Sequence, residues 1–111
     1  APDAPMTLVE GPIDRQVKTI NELAEKLESQ GLKVGIMATA QTRHLYTGGH
    51  IISAGDRTAP LTISSNIFTI LRKFDRLGVD QILAEGISKD GIGLAVMNRL
   101  YKAAGYNVIK V

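Results

Sequence analysis

Apolar residues along the chain alternate between short unbroken runs and stripes at helical spacing. Met6 to Glu10 is a run that stops at Gly11-Pro12. Ile13, Val17, Ile20, Ala24 and Leu27 then recur every three to four positions, with Leu23 widening the stripe, and this predicts an amphipathic helix. Pro12 suits its first turn, Asp14 its positive end and Gly31 the position just past its last turn. Lys33 to Met37 predicts a second strand, and His50 to Ala54, closed by Gly55, a third. Ile63, Ile67, Ile70, Leu71, Phe74 and Leu77 form a second helical stripe, stopped by Gly78. Gln81 to Glu85, ending at Gly86, predicts a fourth strand. Leu94, Met97, Tyr101 and Ala104 predict a third helix before Gly105, and Asn107 to Val111 a last strand.

Strands that alternate with helices imply right-handed crossovers, a mostly parallel sheet and helices on both faces. The predicted fold is therefore a three-layer α/β/α sandwich of five mostly parallel strands, order 3-2-1-4-5, with the first strand central. The link from Ala38 to Gly49 is about the minimum for a parallel crossover, and a short helix around Thr42 to Tyr46 would satisfy it. No repeat and no low-complexity tract interrupts the pattern. Residues 6–111 are expected to form one domain. Ala1-Pro2-Asp3-Ala4-Pro5 reads as a linker, and a chain that opens on it is expected to have been cut from something longer.

Composition narrows the function. The chain has 111 residues and 11.9 kDa, 44% hydrophobic and 22% charged, which suits one globular domain. An enzyme of this size is expected to need a second domain or a partner to close a cleft around large substrates. Cysteine is absent, which excludes disulfides, thiolate zinc sites and cysteine nucleophiles and fits a reducing, cytoplasmic setting. Apolar runs fall far short of the ~18 residues a membrane span needs. Five basic against six acidic residues precede Asp56, and eight against five follow from there. The net +2 contains no basic run, so charge does not indicate nucleic-acid binding.

Ligands of an open parallel sheet bind at the carboxyl ends of its strands. Four segments fall there: Glu10-Gly11-Pro12, Ala38-Thr39, Gly55-Asp56-Arg57, and Glu85-Gly86 leading to Gly91-Ile92-Gly93. Gly91 and Gly93 open a helix, where free N–H groups can hold an anion, with Asn98 and Arg99 as added donors; alternatively the glycines only permit the turn and close packing. Arg57 is placed to bind phosphate or to pair with a local acid. Glu10 and Glu85 either converge for acid–base or metal chemistry or cap neighbouring helices. His44 and His50 have no carboxylate at metal spacing, and Met6, Met37 and Met97 read as core. There is no Gly-x-Ser-x-Gly, no Gly-Lys-Ser/Thr and no acid pair after the first strand, which disfavours a hydrolase, a P-loop enzyme and a phosphoacceptor domain. No catalytic residue and no metal ligand emerges.

The segment Leu83-Ala84-Glu85-Gly86-Ile87-Ser88-Lys89-Asp90-Gly91-Ile92-Gly93-Leu94-Ala95-Val96-Met97-Asn98-Arg99-Leu100 resembles the C-terminal domain of the Sua-five type of L-threonylcarbamoyl-AMP synthases. That family carries an acidic strand end, a Gly-Leu-Gly-Leu-Ala-like turn and Met-Asn-Arg on the next helix. Ile92 stands for the usual leucine, and Tyr101 where a basic residue is common. Leu77-Gly78-Val79-Asp80 and Thr7-Leu8-Val9-Glu10-Gly11 also match, and the likeness covers essentially the whole chain.

The resemblance implies a Rossmann-like C-terminal domain of a two-domain nucleotidyltransferase. Its N-terminal, YrdC-like domain would bind ATP with magnesium and make threonylcarbamoyl-AMP from threonine, bicarbonate and ATP, for the threonylcarbamoyladenosine of tRNA next to the anticodon. A linker folds over the catalytic cleft in that family. Ala1-Pro2 resembles its end, without the preceding His-Tyr-type residues, so no catalytic residue carries over. The signature that carries over is Glu85, Gly86, Gly91, Gly93, Asn98 and Arg99. The expectation is an accessory or regulatory domain, inactive alone and without a cofactor of its own. Its partner would be the catalytic domain of the same chain, with no membrane contact and no direct tRNA binding indicated. The alternatives are a module that binds a nucleotide or small anion, with Arg57 contributing, and a structural or oligomerisation domain.

Overall fold

A computed structural model describes residues 2–111; Ala1, the first residue of the expected linker, lies outside the described residues. The elements run β1 (Met6–Glu10), α1 (Ile13–Ser29), β2 (Val34–Ala38), a 3-10 turn (Arg43–Leu45), β3 (His50–Ser53), α2 (Pro60–Leu77), β4 (Gln81–Glu85), α3 (Ile92–Ala103) and β5 (Val108–Lys110). All four strand pairings are parallel. α1 covers one face of the sheet and α2 and α3 the other, as the three-layer sandwich requires.

The strand order is β3-β2-β4-β1-β5, which corrects the expected 3-2-1-4-5: β4, not β1, is central. Every crossover that carries an α-helix skips one strand. α1 links β1 to β2 across β4, α2 links β3 to β4 across β2, and α3 links β4 to β5 across β1. Neighbouring strands lie about 4.8 Å apart while a helix is about 10 Å across. A helix seated over the skipped strand therefore fits a two-strand step. The entry to β4 is fixed between its neighbours by Asp80 and Gln81. Lys33 N donates to Asp80 Oδ2 at 2.7 Å, Asp80 N returns a bond to Lys33 O at 2.7 Å, and Gln81 Nε2 donates to Thr7 Oγ1 at 3.3 Å. These contacts join residues far apart in sequence, which is why local pattern cannot order the strands.

Side chains alternate across the sheet. Leu8, Met37, Ile82 and Ala84 face Ile63, Ile67 and Phe74 of α2 and Met97 and Leu100 of α3. Val9, Ile36 and Leu83 face Ile20 and Ala24 of α1. β1 and β2 are buried along their whole length, while β3 and β5 are the partly exposed edges. Among the described residues no helix is long and apolar enough to cross a membrane.

Candidate functional site

The carboxyl edge of the sheet holds the most connected polar groups of the domain. Glu85, the last residue of β4, is 3% exposed. Its Oε1 accepts from Thr39 Oγ1 and Arg57 Nη2, each at 2.9 Å, and its Oε2 accepts from Thr42 Oγ1 at 2.5 Å and from the Tyr46 hydroxyl. Thr39 follows β2, and Thr42 and Tyr46 flank the 3-10 turn, so the carboxylate gathers the whole β2–β3 connection onto the end of β4. A buried carboxylate is stable only when so matched. Burial first, and then the Glu85 carboxylate, push the Tyr46 phenol far above its ordinary range.

Arg57 is delivered by the loop after β3. Asp56 Oδ1 accepts from Thr58 Oγ1 at 2.6 Å, Thr58 N at 2.8 Å and Gln41 Nε2 at 2.6 Å. The Thr58 hydroxyl, then Gln41, hold the Asp56 carboxyl below the usual carboxylate range. Gln41 Oε1 accepts Arg57 N at 3.2 Å, which aims the guanidinium inward. Arg57 Nε donates to Thr39 Oγ1 at 3.2 Å, and Nη2 also donates to Gly86 O at 3.3 Å.

Glu10 and Glu85 end adjacent strands but do not converge. The register pairs Val9 with Glu85, so Glu10 is offset by one residue and points to the opposite face of the sheet. Its partners are there: Tyr101 of α3 donates its hydroxyl to Oε2 at 2.5 Å, Lys89 Nζ lies 3.5 Å from Oε2, and Lys110 Nζ lies 3.9 Å from Oε1. Tyr101, and then Glu10, raise the Lys89 ammonium pKa. Neither carboxylate caps a helix. Among the described residues no three His, Asp or Glu side chains gather as metal ligands.

Between these two clusters sits Gln16, 2% exposed. Its Nε2 donates to Gly11 O at 2.8 Å and Gly86 O at 3.1 Å, and its Oε1 accepts from Gly86 N at 3.1 Å. Above it opens a cavity of about 660 Å³, lined among others by Glu10, Arg57, Gly86, Lys89 and Lys110.

The signature residues are thus divided. Glu85, Gly86 and Arg57 meet at the strand ends. Gly91 and Gly93 open α3 with ordered amides: Gly93 N donates to Asp90 O at 3.0 Å and Leu94 N to Gly91 O at 3.2 Å. A Cβ on Gly93 would sit 2.0 Å from Ser88 O, whereas one on Gly91 would meet nothing within 4 Å. Gly91 instead needs its φ of +55°. Asn98 and Arg99 are exposed farther along α3, where Arg99 Nη1 donates to Ser64 Oγ at 3.2 Å. That serine lies in the second turn of α2, which begins at Pro60.

Thr39, placed by sequence at a strand's carboxyl end, is joined at the site by Thr42, Tyr46 and Gln16, which sequence did not single out. Gln16 had a visible signal, a polar residue on the stripe between Ile13 and Ile20. Thr42 and Tyr46 had none, since their common partner is 43 and 39 positions away.

A family model described as "Threonylcarbamoyl-AMP synthase, C-terminal domain" matches residues 1–105. The threonylcarbamoyl-AMP synthase of Pyrococcus abyssi is 45% identical over 111 residues, covering all of this chain and 31% of that protein. The crystal structure of P. abyssi Sua5 complexed with L-threonine aligns over the whole chain with a TM-score of 0.88, at 45% identity and again over 31% of its length. The C-terminal Sua5 domain from Pyrococcus horikoshii aligns over all of both chains, with a TM-score of 0.76 and 34% identity. The chain spans about a third of the length of the full-length relatives it matches.

Proposed function

The chain belongs to the threonylcarbamoyl-AMP synthase C-terminal domain family, and from that premise we propose that it is the accessory, non-catalytic domain of a two-domain synthase. Residues 6–111 are the domain and residues 1–5 the end of the linker to a YrdC-like catalytic domain of the same chain. That partner binds threonine and ATP with magnesium and forms threonylcarbamoyl-AMP from ATP, threonine and bicarbonate, for threonylcarbamoyladenosine in tRNA. The setting is cytoplasmic.

One observation carries this reading. The most enclosed carboxylate of the domain, Glu85, has both oxygens filled by four donors of its own chain. A general base or nucleophile needs a free face toward its substrate. Glu85 instead joins the β2–β3 connection to β4, a scaffold's role. No Gly-Lys-Ser/Thr loop is present, and no trio of metal-ligating side chains gathers among the described residues. Residues 3–5 already pack on the domain: Ala4 is buried in the core, Asp3 N donates to Asp75 Oδ1 at 3.0 Å and Ile82 N to Pro5 O at 2.9 Å.

Within this reading Glu85, Gly86 and Gly93 form the internal frame. Gly91 sets the turn into α3, and exposed Asn98 and Arg99 face the partner domain. Two measurements test it. The 111-residue chain is assayed for pyrophosphate release dependent on ATP and threonine; no turnover is expected, and robust turnover overturns the assignment. Arg99→Ala is then placed in a full-length synthase. A fall in activity with an unchanged melting temperature is expected, whereas an unchanged rate with a large drop in melting temperature would make Arg99 structural.

A further inference from the structure

β1 and β4 are neighbours whose connections leave toward opposite faces, β1 into α1 and β4 into α3. Such a divergence opens a crevice at the carboxyl ends of the two strands. Here it is the cavity of about 660 Å³, within the size range of small-molecule sites. Gln16 closes its floor, because both ends of its carboxamide are spent on Gly11 and Gly86. A ligand would therefore rest in the mouth rather than thread between the strands.

Cationic side chains outnumber acidic ones in that mouth: Arg57, Lys89 and Lys110 line it with Glu10, and Val111, the last residue of the chain, also borders it. The two lysines lie 3.5 and 3.9 Å from Glu10, with side chains 52% and 80% exposed; Lys110 is the looser, while Lys89 also lies over the Tyr101 ring at 5.5 Å. The guanidinium of Arg57 is oriented by Glu85 and Thr39 through Nη2 and Nε, which leaves Nη1 for the cavity. Glu85 itself lies beneath, its side chain 1% exposed, and does not repel an anion at the surface by contact.

A second hollow, of about 370 Å³, adjoins the first and shares Ile13 and Arg57 with it. Its surface is mostly carbon, from Ile13, Val17 and Leu45, with Asp14 and Gln41 among its polar groups. We propose that the two together bind a small organophosphate, with the phosphate among Lys89, Lys110 and Arg57 and an apolar ring or chain on Ile13, Val17 and Leu45. Cations without a preorganised cage select a charge, and the adjoining carbon surface selects the group attached to it.

Amide NMR on the 111-residue chain, titrated with inorganic phosphate and with AMP, tests the site. Phosphate is expected to move Ser88, Lys89 and Lys110. AMP is expected to move these together with Val17 and Leu45, at a midpoint about tenfold lower. The double variant Lys89→Ala/Lys110→Ala, with its spectrum otherwise preserved, should raise both midpoints at least about tenfold. No shifts with either probe up to about 10 mM, or unchanged midpoints in the double variant, overturn the site. AMP binding no more tightly than phosphate overturns the part assigned to the carbon surface.

Discussion

Gln16 and Gly86 exchange two hydrogen bonds, Nε2 to the glycine carbonyl and the glycine N–H to Oε1, both at 3.1 Å. A side chain of α1 thereby joins the last rung of the ladder between β1 and β4, where the Gly86 N–H also donates to Val9 O at 2.8 Å. Gln16→Ala removes the buried donor to Gly11 O and one of two donors to Gly86 O, which keeps Arg57 Nη2, while the Gly86 N–H keeps Val9 O as its acceptor at 2.8 Å. The expected loss is about 1–3 kcal/mol in urea denaturation. A loss below about 1 kcal/mol would show that water or a shifted neighbour replaces the carboxamide.

The Arg57–Glu85 pair, at 2.9 Å, is expected to be cooperative with its hydroxyl partners. Arg57→Ala leaves a buried carboxylate with three neutral donors. The Arg57 side chain is itself 18% exposed, so the loss should be about 2–4 kcal/mol, toward the lower part of the range for broken buried pairs. A double-mutant cycle with Glu85→Ala should give a coupling of at least about 1 kcal/mol. Simple additivity would mean that the two side chains act independently.

The two glycines at the start of α3 are expected to respond differently. Gly93→Ala drives a methyl against Ser88 O and should cost about 3 kcal/mol. Gly91→Ala meets no atom but must adopt φ +55°, at about 1–2 kcal/mol. Thermal unfolding of the two variants checks the order. A neutral Gly93→Ala with reduced phosphate affinity would return that glycine to the role of an anion cradle.

Tyr46 should make the domain sensitive to base. Its phenol pKa is raised in the folded state, so the neutral form is favoured by folding. The resulting stability is fully present below the unfolded phenol value of about 10 and is lost as pH rises from there toward the folded value. Urea midpoints measured from neutral pH to above about 11 should fall more steeply for the unmodified chain than for Tyr46→Phe. Parallel curves would place the alkaline sensitivity in other groups.

Where the controlling interaction was local, sequence was sufficient. β1 and β4 begin and end where their apolar runs do, and Gly31 and Gly78 stop α1 and α2 in the left-handed conformation. Three strands of similar apolar content cannot be ranked by pattern, so the central place of β4 required the Asp80–Lys33 contacts. The site divides the same way. Arg57 pairs with an acid, one of the two roles its position suggested, but which acid depends on a residue 28 positions away. Of the two roles open to Glu10 and Glu85, capping is not seen and a meeting is missed by one residue of register, a quantity the sequence of either strand alone does not contain.

The interleaved strand order also bears on how the molecule comes into being. β1 and β2 are never partners; β4 joins them, and it emerges only after β3 and α2 have been made. A nascent chain that stops before Gln81 has only the β2–β3 pair to build on, too little to bury two apolar faces. The sheet must then close late and in one cooperative step, because its organising strand is the fourth of the five in chain order.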